Sequence, residues 1–129
     1  MTTDLWMLVY AGILSAFFYL TYAFGNATTP GGLVWLFGNR ETDLASPAWT
    51  KRAERAHRNL VENIAPFAIL VFAAHLSGRA SATTALGAEL FFWARVAYAA
   101  CYIAGVTYVR TGLFLVSVIG ELIILSQLF

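Results

Sequence analysis

Glu54-Arg55-Ala56-His57-Arg58-Asn59-Leu60-Val61-Glu62-Asn63 is dense in charge and runs without a break into residues 64–76, which are apolar apart from Pro66 and His75. At 100° per residue, Lys51, Arg55, Arg58, Asn59 and Glu62 fall within a sector of roughly 100° on one helical face. Polar groups carried to membrane depth are costly and normally line a site, a cavity or a helix–helix contact. A solvated juxtamembrane face is the plainer reading. Glu62 lies too deep in the apolar run for that reading to cover the whole stripe.

Composition points the same way. Of the 129 residues, 60% are hydrophobic and 12% charged, against about 45–50% and about 25% in a soluble domain. A single membrane domain, residues 1–129, is the expectation. A net charge of +1 argues against nucleic acid as a partner. The lone Cys101 sits in an apolar run and reads as packing. The first apolar segment, residues 5–24, follows Asp4 rather than a basic region and reads as a retained helix, not a cleaved signal.

Outward from that segment, Asn26-Ala27-Thr28-Thr29-Pro30-Gly31-Gly32 breaks the helix through its turn-formers. Residues 33–37 are too few to span and are expected in the interface, followed by a polar loop over 38–45. Ser46-Pro47 reads as a helix start, Ser as N-cap and Pro at the first helical position. The second long helix, about 47–76, would measure about 45 Å, longer than a hydrocarbon core of about 30 Å. Its basic first third should therefore stand out of the membrane. Pro66 removes one hydrogen bond and predicts a kink beside the charged stripe. A third helix over 82–108 and a fourth over 111–129 complete an all-α, integral-membrane four-helix bundle. Counting Arg40, Lys51, Arg52, Arg55, Arg58 and Arg110 against Arg79 places the first and third loops in the cytoplasm and both termini outside.

Glu62, Glu89, Arg95 and Glu121 lie in or near apolar spans, and each needs a partner. Structural ion pairs account well for Glu89 and equally well or badly for Glu121. They account less well for Arg95, because Tyr98 and Tyr102 follow it on one face and Arg110 lies beyond. With Arg58, Asn59 and Glu62 at the same depth, the expectation is a cationic, hydroxyl-lined groove in the cytoplasmic half, with Glu62 and Arg95 converging on one water-reachable cleft. Such a groove suits a small zwitterion: arginines for carboxylates, Glu62 for an amine, Asn59 for an amide. It could also lower the pKa of a thiol. Haem anchoring fits poorly, because His57 and His75 share one helix and no other His exists. No metal-ligand spacing, glycine-rich phosphate loop or Ser/His/Asp set is present.

Arg55-Ala56-His57-Arg58-Asn59-x-x-Glu62 with Pro66-Phe67, and Arg95 with Tyr102 seven residues on followed by Arg110, resemble the signatures of the MAPEG family, the membrane-associated proteins of eicosanoid and glutathione metabolism. The resemblance covers the full chain and is similar to both the microsomal prostaglandin E synthases and the microsomal glutathione transferases of that family. Phe91-Phe92-Trp93-Ala94-Arg95 and Tyr108-Val109-Arg110-Thr111 look more like its bacterial branch, which implies a bacterial inner membrane. The resemblance implies a homotrimer with glutathione bound as co-substrate between protomers at the cytoplasmic side. By residue match Arg58, Asn59, Glu62, Arg95, Tyr98 and Tyr102 would hold glutathione, while Arg110 with Thr111 would stabilise its thiolate. Arg55 and His57 would be structural. One departure is plain: where glutathione-using members carry basic residues after the first helix, this chain reads Tyr22-Ala23-Phe24-Gly25-Asn26-Ala27-Thr28, with no cation before Arg40.

Two functions follow: a glutathione-dependent transferase or peroxidase acting on lipophilic electrophiles drawn from membrane lipid, or a non-catalytic lipid- or ligand-binding protein of the same fold. A small multidrug-type exporter is a third reading. Such exporters place a glutamate in their first helix, and residues 5–24 have none.

Overall fold

A computed structural model describes residues 1–129. The chain forms five helices and no strand: α1 (Thr3–Ala27), α2 (Gly32–Phe37), α3 (Ala48–Leu76), α4 (Ala82–Ala104) and α5 (Tyr108–Ser126). α1, α3 and α5 are long and apolar enough to cross a membrane. α4, which carries Glu89 and Arg95, does not meet that standard on composition, so three of the four expected spans stand on this ground. The outside is apolar: Ile13, Phe17, Leu20, Ile69, Phe72, Ile119 and Leu122 are all exposed. Only 25 of 129 residues are buried, which suits a fold whose surroundings are hydrocarbon rather than water.

α4 touches all three other long helices. It packs on α1, α3 and, most extensively, α5. The α4–α5 approach depends on two glycines facing each other. A Cβ at Gly87 would sit 2.6 Å from the Gly120 carbonyl oxygen, with the Ile124 side chain at 2.8 Å. Small residues at a helix crossing let backbones come this close, the usual basis of helix association in lipid. The core proper is Ala11, Phe67, Val71, Ala74, Ala88, Phe91 and Ile124. In it the Phe67 and Phe91 rings stack at 3.9 Å between centroids.

Several helix ends differ from the sequence expectation. Pro47 occupies the N-cap position of α3 and Ser46 does not cap; its hydroxyl donates instead to Asn26 Oδ1 at 2.7 Å. The end of α1 thus competes successfully for that hydroxyl. The far end of α3 is as expected: the helix continues through Pro66 to Leu76. α4 stops at Ala104, not Tyr108, because Gly105 takes φ 84° and its N–H returns to Cys101 and Tyr102, a left-handed glycine C-cap. Arg52 Nε donates to the Ile103 carbonyl at 2.8 Å, satisfying one carbonyl left free at that end. α5 starts at Tyr108, so Arg110 lies in its first turn rather than in a loop.

At the opposite end, Asp4 joins three helices. Its carboxylate is buried, lies 3.0 Å from His75 Nε2 and accepts from the Thr84 hydroxyl at 3.2 Å. Nothing in the periodicity of the first segment marks Asp4 as this tie. Its signal was only that a carboxylate precedes an otherwise uncharged helix.

Candidate functional site

The residues singled out by sequence separate into two groups. The first is centred on Arg95, which is 2% exposed. One guanidinium nitrogen, Nη1, donates to Asn59 Oδ1 of α3 at 2.7 Å. Its Cζ lies 5.3 Å from the Phe91 ring, 5.6 Å from Tyr98 and 5.1 Å from Phe114. Cation–π contact of this kind is stronger where water is excluded. The carboxylate that acts on Arg95 is Glu121 of α5. The two make no direct ion pair, and Arg95 Nε and Nη2 and Glu121 Oε1 are buried without hydrogen bonds.

From Arg95 the group extends along α4. The Tyr98 and Tyr102 rings lie 5.6 Å apart, and Arg110 stacks its guanidinium on Tyr102 at 4.4 Å. Thr111 is exposed on the next position of α5. The sequence therefore placed Asn59, Arg95, Tyr98, Tyr102 and Arg110 in one neighbourhood, and the structure brings them together. Phe114 and Glu121 belong there as well and were missed or left without a role. Their signal was that Glu121 is the one charge in the apolar part of the last helix.

The second group is Arg58 and Glu62. Both are exposed, and they line a pocket of about 220 Å³ with Tyr22, Glu54, His57 and Val61. Arg58 pairs with Glu54 at 3.5 Å, an exposed contact worth little by itself. His57 meets the Ser15 hydroxyl at 3.1 Å and packs on Tyr19 and Tyr22. Arg40, the first cation after α1, rests 5.3 Å from the Trp35 ring.

The expected convergence of Glu62 and Arg95 on one cleft does not occur within a single chain. Arg95 turns inward to Asn59 and Phe114, whereas Glu62 faces outward beside Tyr22, and no cavity contains both. The reason is packing. The glycine crossing draws α5 against α4, so Glu121 supplies the carboxylate on the buried side. Glu89 also departs from expectation: it is exposed and forms no ion pair. No cluster of His, Cys, Asp and Glu could hold a metal.

These features define an α-helical membrane protein with a buried guanidinium and a short tyrosine–arginine ladder leading to one end. Residues 3–129 match the model of the MAPEG family, and the chain belongs to that family, which includes glutathione transferases and related membrane proteins. No curated protein and no solved structure matches it.

Proposed function

We propose that the protein is a glutathione-dependent transferase or peroxidase for lipophilic electrophiles, active as a homotrimer. One observation carries this reading: the single chain divides its polar motif between two faces, each of which is half a site. The Arg58–Glu62 face offers a cation and a carboxylate to the carboxylates and amine of a tripeptide. The Tyr102–Arg110 face offers a hydroxyl and a guanidinium to a thiolate. Apposition of these faces between neighbouring copies completes one cleft per interface. Asn59 is held in place by Arg95, which makes Arg95 a positioning residue in this scheme.

Arg110 stands in the first turn of α5, where unpaired backbone N–H groups already favour negative charge. Guanidinium and helix end together stabilise the thiolate form, assisted by the Thr111 hydroxyl. The thiolate then attacks an electrophilic carbon, forming a C–S bond as the leaving group departs with the bonding pair. The membrane is a bacterial inner membrane, with the Arg110 end cytoplasmic and both termini outside. The bilayer supplies the apolar substrate and the cytoplasm the thiol. Isothermal titration of the purified protein with glutathione tests the reading. Arg110→Ala and Glu62→Ala should each weaken binding by about tenfold or more; unchanged affinity in both variants would falsify it.

A second reading, a non-catalytic lipid- or ligand-binding protein, is favoured by the uncharged run Tyr22–Thr28 and by Arg40 being held on Trp35. It expects no conjugation with any electrophile, and observed turnover would end it.

A further inference from the structure

We propose that the groove between α4 and α5 is a binding site for a lipophilic cation, with Glu89 as its counter-charge and Trp93 as its aromatic wall. The groove holds about 350 Å³, within the range of small-molecule sites. Leu86 and Leu90 of α4 and Leu113 and Val116 of α5 line it, with Glu89 the one charged residue. Glu89 lies seven residues past Ala82 in a 23-residue helix, or about 10 Å from its start at about 1.5 Å per residue. α4 packs against the three helices apolar enough to span, which sets Glu89 about two turns in from one end of the bundle.

A carboxylate at that depth ordinarily faces a protein partner, but Glu89 is exposed and has neither an ion pair nor a side-chain hydrogen bond within the chain. Arg95, the nearest cation along α4, points into the opposite, buried side toward Asn59. The missing charge must therefore come from outside the chain. Trp93 stands one turn from Glu89, is 62% exposed and lines the same groove. An indole beside a carboxylate in an apolar, water-poor groove suits a cation bearing apolar substituents, through cation–π attraction and charge together. The same carboxylate repels anionic amphiphiles. Phe91, Arg95 and Tyr98 lie on other faces of α4, so this site is separate from the glutathione cleft proposed above.

The test is titration of the detergent-solubilised full-length protein with tetraphenylphosphonium, read by equilibrium dialysis against empty micelles and by tryptophan fluorescence. Saturable binding of one cation per chain is expected, weakened at least tenfold in Glu89→Gln and severalfold in Trp93→Leu. Tetraphenylborate, of the same shape and opposite charge, should not compete. Both variants should keep the melting temperature and glutathione affinity of the parent, which separates this site from the cleft. Equal binding by the parent and Glu89→Gln, only unsaturable partitioning, or competition by tetraphenylborate overturns the proposal. Cross-linking through Trp93→Cys that places a second copy in the groove, undisplaced by tetraphenylphosphonium, also overturns it. Should Glu89→Gln fail to fold, unaltered binding in Trp93→Leu overturns it equally.

Discussion

Arg58 and Arg95 are the same residue type in the same polar motif set, yet they live in opposite surroundings. Arg95 is enclosed by three rings and a helix-borne amide. Arg58 stands at the surface with its side chain 70% exposed, beside one carboxylate. Removing water raises the cost of leaving a charge unpaired and the value of pairing it. Arg95 is therefore committed to holding α3, α4 and α5 together, and Arg58 is free to meet a ligand. The difference teaches that a guanidinium's role is set by what surrounds it, not by its place in a motif.

The largest effect that could break this contrast is at the buried end. Arg95→Ala empties a buried site and leaves Asn59 Oδ1 and the partly buried Glu121 without the guanidinium; it should cost about 2–5 kcal/mol, read as loss of helicity on heating in detergent. The double variant Arg95→Met with Glu121→Leu should recover much of that loss, since an apolar pair of similar volume leaves no stranded charge. A double variant no more stable than Arg95→Ala would show that the guanidinium itself, rather than charge balance, holds the helices.

Gly87→Ala tests whether the glycine crossing places Glu121 against Arg95. The added methyl must push against the Gly120 backbone, at about 1–3 kcal/mol. Ordinary stability in that variant would mean α5 can slide without penalty. At the far end, Asp4→Ala removes the acceptor shared by the Thr84 hydroxyl and His75, but these keep the Ser81 carbonyl and the Thr2 hydroxyl, so the loss should be about 1 kcal/mol; thermal unfolding again reads it. The smallest expected stability change sharpens the contrast most. Arg58→Ala should alter stability by less than about 0.5 kcal/mol. A loss as large as that of Arg95→Ala would erase the distinction between the two arginines.

Much of the fold was legible because its signals are local. Long apolar runs, the turn-formers of residues 26–32 and the polar start of α3 each report on their own neighbourhood. Helix ends were less legible, since a capping hydroxyl such as Ser46 has rivals elsewhere in the chain: Asn26 of α1 took it. Gly105 was readable as a stop, but the apolar residues after it masked the break. In the site, the ladder from Arg95 to Tyr102 followed from helical spacing. The assignment of Glu62 to Arg95 failed because spacing along one helix says nothing about the rotation of another.

By itself, then, the sequence determined a helical membrane protein, its approximate spans, its family and the ionisable residues too costly to be idle at membrane depth. Periodicity, hydropathy and motif spacing depend only on neighbours along the chain. Tertiary structure alone decided which of those residues meet. Glu121 became the carboxylate that acts on Arg95 and Glu89 was left exposed, on two helices that Gly87 and Gly120 let approach closely. That contact joins distant parts of the chain, and its outcome depends on the fit of two backbones rather than on any local pattern.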